Sequence, residues 1–84
     1  MEKIYNELLE IYKRKNADYG DSFSQSCDEH GIIAAVVRIG DKYNRLRTLT
    51  KHETEVKDES IRDTLMDMAN YCAMTAKWLD EHDK

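Results

Sequence analysis

The chain is predicted to be an all-α protein, a small helical bundle of three long helices and one short helix. Its 84 residues contain no proline, so ring geometry excludes no position from a helix interior. Only three glycines interrupt the chain. Apolar residues recur at spacings of three and four over three long segments, which is the period of an amphipathic helix. A chain of this length forms a single domain, residues 1–84.

The first long helix is predicted from Glu2 to about Arg14. Residues 16–24 (NADYGDSFS) follow and collect turn-forming residues around Gly20, which predicts a long polar loop. A connection of roughly 15 residues is more often functional than idle. Within it, a serine can cap a short helix that ends at Gly31. The apolar stripe of the first helix consists of Ile4, Tyr5, Leu8, Leu9 and Tyr12.

The second long helix is predicted from about Ile32 to Leu49, and the third from Asp58 to Asp80, with a polar loop at residues 51–57 (KHETEVK) between them. The apolar stripe of the second helix consists of Ile32, Val36, Ile39, Tyr43 and Leu46. That of the third consists of Ile61, Leu65, Met68, Cys72 and Leu79. These surfaces exceed what one subunit can bury, so we expect a homodimer or homotetramer whose interfaces complete the core.

The charge pattern excludes several classes of partner. A net charge of −4 argues against DNA or RNA binding, which needs a basic face. No apolar run approaches the roughly 20 residues that cross a bilayer, and the N-terminus lacks a signal-peptide core, so we expect a cytoplasmic protein without a membrane partner. Cys27 and Cys72 form no metal or disulfide pattern and are expected to be small apolar fillers.

Two polar stripes are candidates for a binding site. The first, at positions i, i+4 and i+7 of the last helix, consists of Asp63, Asp67 and Asn70. The second, on the preceding helix, consists of Arg38, Asp41, Lys42 and Arg45. If the stripes meet, within a subunit or across an interface, cations for phosphates lie beside carboxylates for a divalent metal ion. The alternative is an ordinary interhelical salt-bridge network.

The polar segment before the second long helix contributes further candidates. Tyr19 and Phe23 can stack on a base or ribose. Asp18 or Asp21 can accept a hydrogen bond from a hydroxyl or amine. Gly20 allows close backbone approach.

Three blocks of the chain together resemble one family. They are residues 15–23 (KNADYGDSF), 37–46 (VRIGDKYNRL) and 58–71 (DESIRDTLMDMANY). In this order they are similar to the nucleotide modification associated domain 1 family, which is common in phages and is placed within the MazG-like all-α nucleotide pyrophosphatases. The resemblance implies a helical-bundle oligomer with a nucleotide site between helices.

The wider group holds magnesium with four carboxylates, ExxE on one helix and ExxD on the next. Here the first pair falls on Asp41 and Asn44, and the second on Ser60 and Asp63, so two of the four carboxylates are missing. Hydrolysis needs a metal-held water, whereas binding needs only phosphate and base contacts.

The expected function is therefore capture of a phosphate-bearing nucleotide without cleavage and without a required cofactor. By analogy with small phage proteins that sequester immune signals, the ligand is expected to be a cyclic dinucleotide or an ADP-ribose derivative, in a counter-defence role. One alternative is a Mg²⁺-dependent nucleoside triphosphate pyrophosphohydrolase with Asp41, Glu59, Asp63 and Asp67 as metal ligands. Another is a helical adaptor that contacts a second protein.

Overall fold

A computed structural model describes residues 1–51 and 57–82, with the side chains of Tyr19 and residues 57–59 also outside the described part. It contains four helices: α1 Glu2–Tyr19, α2 Ser22–His30, α3 Ile33–Lys51 and α4 Lys57–His82. The described ranges contain no strand, which confirms the all-α fold of three long helices and one short one. Not one of the described helices has both the length and the apolar composition required to span a bilayer.

The prediction of a long polar loop at residues 16–24 is wrong, because α1 continues to Tyr19 and α2 already begins at Ser22. α1 ends at Tyr19, and only Gly20 and Asp21 separate it from α2. Asn and Asp in the last helical turn cost less than about 0.7 kcal/mol each relative to Ala, so a helix already formed extends through them. It ends at Gly20, whose φ of 66° suits glycine, and the Gly20 amide donates to the Asn16 carbonyl. Gly31, with φ 80°, ends α2 as the sequence predicts.

The helices α3 and α4 form an antiparallel hairpin. Lys42 on α3 contacts Asp67 on α4, and Arg45 contacts Thr64, so residue numbers rise along one helix as they fall along the other. The short helix α2 packs across one side of this hairpin, where Phe23, Cys27 and Ala35 form the buried core. Half-buried hydrophobic side chains surround this core: Ala34, Tyr71, Met74 and Trp78.

α1 and α4 are joined by polar contacts and also line one largely apolar groove, which includes Leu8, Leu9 and Ala73. Arg62 donates to the Glu7 carboxylate from both terminal guanidinium nitrogens, Nη1 at 2.7 Å and Nη2 at 2.9 Å, and Asn70 Nδ2 donates to the Leu8 carbonyl at 3.1 Å. This contact with Arg62 holds the pKa of Glu7 below its ordinary value of 4.5. α1 and α2 therefore lie on the polar side of the α3–α4 hairpin.

The opposite side of the hairpin is apolar and exposed. We call the following six residues the hairpin face: Ile32 and, from α3, Val36 and Tyr43, with Leu65, Cys72 and Leu79 from α4. They belong to the predicted apolar stripes, which in one chain point largely away from the core. The expectation that Cys72 fills an apolar gap is thus wrong for the single chain, whereas Cys27 is buried as expected.

Candidate functional site

A cavity of about 340 Å³ opens on the polar side of the hairpin, where all four helices meet. α1 and its link to α2 supply Tyr12, Lys15, Asn16, Gly20 and Asp21. The other helices supply Ser22, Phe23, Arg38, Asp67, Asn70, Tyr71 and Met74. The end of α1 at Gly20 makes this possible, because the chain turns there and brings α2 against α3 and α4.

Asp67 is the charged centre of the wall formed by α4. Lys15 Nζ lies 2.7 Å from Asp67 Oδ1, and Lys42 Nζ lies 3.4 Å from Asp67 Oδ2. One carboxylate therefore holds an ammonium group from α1 and another from α3. The two predicted polar stripes do meet, and they meet within a single chain.

Arg38 supplies a third positive charge. Its Nη2 donates to Ser26 Oγ at 3.5 Å, and its Cζ lies 6.0 Å from the centre of the Phe23 ring. In the part of the chain that the structure describes, no carboxylate lies within ion-pairing distance of this half-buried guanidinium. Arg38 can therefore bind an incoming anion without first breaking a salt bridge to the described residues.

The accessible aromatic rings described in the cavity wall are not the ones that the sequence predicted to stack on a base or ribose. Phe23 is only 4% exposed and packs against Tyr71, with ring centres 5.5 Å apart. Its ring is part of the core as well as of the cavity wall. Tyr12 and Tyr71 are half-buried and line the same cavity, so they offer accessible ring surface. The side chain of Tyr19 lies outside the described residues.

The remaining predicted binding residues of the described part do not line the cavity. Arg45 Nε donates to Thr64 Oγ1 at 3.1 Å, which ties α3 to α4. Asp18, Asp41 and Asp63 are exposed. The structure thus gathers Phe23, Arg38, Asp67 and Asn70 in the cavity wall, with Lys42 directly behind Asp67.

The proposed metal ligands do not assemble into a site in the described residues. No group of three or more His, Cys, Asp or Glu side chains there is placed to hold a metal ion. Asp67 accepts two lysines, Asp41 and Asp63 are exposed, and the side chain of Glu59 lies outside the described part. The described residues therefore offer no carboxylate cluster for Mg²⁺, and the one carboxylate in the α4 wall, that of Asp67, is already paired with two lysines.

Sequence reasoning missed Tyr12, Lys15, Asn16 and Tyr71 as cavity residues. Tyr12, Lys15 and Asn16 have the i, i+3, i+4 spacing of one helical face. That spacing carries information only if α1 is known to extend beyond Arg14, and the turn-forming composition of residues 16–24 obscured this. Tyr71 follows Asn70 directly, but consecutive helical residues lie about 100° apart, so Tyr71 falls outside the predicted polar stripe of Asp63, Asp67 and Asn70.

Comparison with known proteins supports one assignment. Neither the search of curated proteins nor the search of solved structures returned a match. A family profile, that of nucleotide modification associated domain 1, matches residues 15–77, a span that includes every residue of the cavity wall except Tyr12. Because this span is three quarters of the 84 residues, the chain belongs to the nucleotide modification associated domain 1 family.

Proposed function

We propose that the protein binds a phosphate-bearing nucleotide in the cavity between its four helices and does not cleave it. The observation that carries this proposal is the half-buried Arg38, which has no carboxylate partner among the described residues and lines the same wall as Lys15. Guanidinium groups bind phosphate through paired charge-assisted hydrogen bonds, which are stronger than neutral ones.

The other groups in the wall suit the rest of a nucleotide. Tyr12 and Tyr71 provide ring surface for a base, and Asn16 provides amide groups for its polar edge. In the wall itself Lys15 and Arg38 balance the carboxylates of Asp21 and Asp67, and Lys42 pairs with Asp67 from outside the wall. Because two lysines share Asp67, the acidic net charge of −4 does not extend to this cluster.

The size of the cavity restricts the ligand. Its volume of about 340 Å³ is near the lower end of the range for small-molecule sites, about 300–1,000 Å³. We therefore expect a mononucleotide, or one nucleotide unit of a cyclic dinucleotide or ADP-ribose derivative, to occupy each cavity. The absence of a carboxylate cluster among the described residues favours capture over metal-dependent hydrolysis.

Calorimetry with a panel of nucleoside mono-, di- and triphosphates, cyclic dinucleotides and ADP-ribose tests the proposal. We expect one class to bind, and mass spectrometry of the heated complex to recover it intact. Arg38→Ala removes charge-assisted hydrogen bonds worth about 1.5–3 kcal/mol, so affinity should fall about ten- to hundredfold. Arg14→Ala is the matched control, because Arg14 is an exposed arginine of α1 outside the cavity wall, and it should change little.

Two results would contradict this function. Recovery of cleaved products whose formation EDTA prevents would indicate the pyrophosphohydrolase instead. Absence of thermal stabilisation by every nucleotide would favour the adaptor, because a ligand at a hundred times its Kd adds about 2.7 kcal/mol to the free energy of unfolding.

A further inference from the structure

A second cavity, a groove between α1 and α4, lies beside the cavity of the candidate site. Its volume is about 400 Å³, and side chains of both helices form its walls. The alanines of α4 in these walls are exposed and small, so the space between the two helices stays open. We call it the α1–α4 groove, with Tyr5, Leu9 and Tyr12 from α1 and Ala69, Ala73 and Met74 from α4 in its walls.

The α1–α4 groove and the cavity share part of their walls. Tyr12, Asn70 and Met74 border both spaces. Asn70 crosses from one helix to the other at this border, because its Nδ2 on α4 donates to the Leu8 carbonyl on α1 at 3.1 Å. A ligand in the cavity therefore lies directly next to the groove, with only the three shared side chains between them.

The chemistry of the α1–α4 groove suits an uncharged ring better than a phosphate. Its walls are mostly apolar, and α1 supplies the rings of Tyr5 and Tyr12, on which a base can stack. Among the described residues its one charged side chain is Lys77, whose Nζ already lies 2.5 Å from Glu81 Oε1. The cavity differs, because its half-buried Arg38 has no carboxylate partner in the described part of the chain.

The positions along α1 suit a ligand that occupies both spaces. Lys15 in the cavity wall lies three residues, or about 4.5 Å along the helix axis, from Tyr12, and about 15 Å from Tyr5. A ribose with its base spans the distance from a phosphate at Lys15 to the middle of the groove. The cavity of about 340 Å³ and the groove of about 400 Å³ together remain within the range for small-molecule sites, about 300–1,000 Å³.

From these observations we propose that the α1–α4 groove holds the second base of a ligand in which phosphate joins two nucleosides, while the cavity holds the phosphate and the first base. The groove is then the part of the site that distinguishes such a ligand from a mononucleotide. This inference rests on the proposed function, because it requires that the cavity bind a nucleotide. Linear dinucleoside diphosphates and cyclic dinucleotides share the required chemistry.

The first test compares ligands with one and two copies of the same base. Calorimetry on the natural chain measures AMP against diadenosine diphosphate and cyclic di-AMP, and GMP against the corresponding guanine compounds. Stacking of a base on an aromatic side chain contributes about five- to 150-fold in affinity. We therefore expect at least one two-base ligand to bind about tenfold or more tightly than its mononucleotide, and the linear and cyclic forms identify the linkage.

The second test removes a ring from the groove. Tyr5 is 63% exposed, so Tyr5→Ala should keep the fold in circular dichroism. Affinity for the two-base ligand should fall about five- to 150-fold, because the second base loses its stacking partner. Affinity for the mononucleotide should not change, since Tyr5 does not line the cavity. Tyr5→Phe keeps the ring, is the matched control and should retain both affinities.

The third test fills the groove from the side of α4. Ala73 is exposed, and leucine and alanine both favour helix, so Ala73→Leu should fold normally. The leucine side chain takes the space of the second base, and affinity for the two-base ligand should fall to that of the mononucleotide. Ala17→Leu is the matched control, because Ala17 is an exposed residue of α1 that borders neither space, and it should leave both affinities unchanged.

The outcomes separate this inference from the function on which it rests. Equal affinity of the natural chain for one-base and two-base ligands would overturn the inference and leave the proposed function standing. Loss of affinity for both ligands in the same proportion, in Tyr5→Ala or in Ala73→Leu, would do the same. Binding of no nucleotide at all would overturn both. Tighter binding of a two-base ligand, with a selective loss in both variants, would support the inference.

Discussion

Replacing Asp67 with Asn should weaken the fold and tighten ligand binding at the same time. Asp67 holds Lys15 on one carboxylate oxygen and Lys42 on the other, at 2.7 and 3.4 Å. Asn keeps the shape of the side chain and removes its charge. Both ammonium groups then become available to a phosphate in the cavity that Lys15 and Asp67 line.

The two effects differ in size and sign. The side chain of Lys15 is 53% exposed and that of Lys42 is 28% exposed, so water screens both pairs, and their joint loss should lower the free energy of unfolding by only about 1 kcal/mol. A carboxylate about 6 Å from a bound phosphate repels it by up to about 3 kcal/mol at an effective dielectric constant near 20. After screening by salt, a gain of about 1–2 kcal/mol, or five- to thirtyfold in Kd, should remain.

Urea denaturation measures the first effect, and calorimetry with the nucleotide identified in the panel measures the second. Asp63→Asn is the matched control, because Asp63 is exposed on the same helix one turn earlier and lies outside the cavity wall. It should change neither quantity. If Asp67→Asn leaves Kd unchanged or weakens binding, the reasoning about the cavity is refuted, and abolition of product formation would show that Asp67 serves hydrolysis.

Two further predictions concern contacts that hold the helices around the cavity. Because Arg62 lowers the folded-state pKa of Glu7 below 4.5, the contact stabilises the fold fully above that pH and is lost as pH falls through the lower value. Thermal unfolding of the natural chain and Glu7→Gln should therefore differ at pH 7 and converge in acid; a difference independent of pH would contradict this. Thr64 is 2% exposed, donates to the Ser60 carbonyl at 2.7 Å and accepts from Arg45, so Thr64→Val should cost about 1–2 kcal/mol in urea denaturation. Thr64→Ser keeps the hydroxyl and should retain the hydrogen-bond contribution, and equal losses in both variants would assign the effect to packing instead.

Apolar periodicity was sufficient to predict the three long helices, and a serine cap with Gly31 to predict the short one, because both kinds of signal depend on local structure. It was insufficient for the region around Gly20. There Asn16 and Asp18 have a weak preference for turns, and the cost of keeping them helical is smaller than the gain from continuing α1 to the glycine. Lys15 and Asn16 became cavity residues only through that extension.

For the candidate site, prediction from the sequence was limited by missing information on contacts between helices. The stripes containing Arg38 and Asp67 could be recognised as helical faces from their spacing. The sequence did not show which other helix each face contacts. Lys42 and Asp67 could as well have met across two chains, and the contact at 3.4 Å places them in one. Their partner Lys15 is 52 residues away from Asp67 along the chain, and no local pattern links the two.

The exposed hairpin face and the charged cavity on the other side of the hairpin have one common cause, the way in which α3 and α4 are turned towards each other. In an isolated amphipathic hairpin the apolar stripes turn inward, because burial of apolar surface is the largest favourable term in folding. Here α3 and α4 instead direct Lys42, Arg45 and Asp67 towards each other and leave Val36 and Leu65 in water. Such a fold gains little from its polar contacts, since partly exposed ion pairs contribute about 0–1 kcal/mol each. We therefore expect burial of the hairpin face in the homodimer or homotetramer predicted from the sequence to supply stability that the cavity side lacks. If a second copy covers this face, the other side of each hairpin is free to carry a charged cavity, and a variant that dissociates should lose thermal stability even though its mutated residue lies far from Asp67.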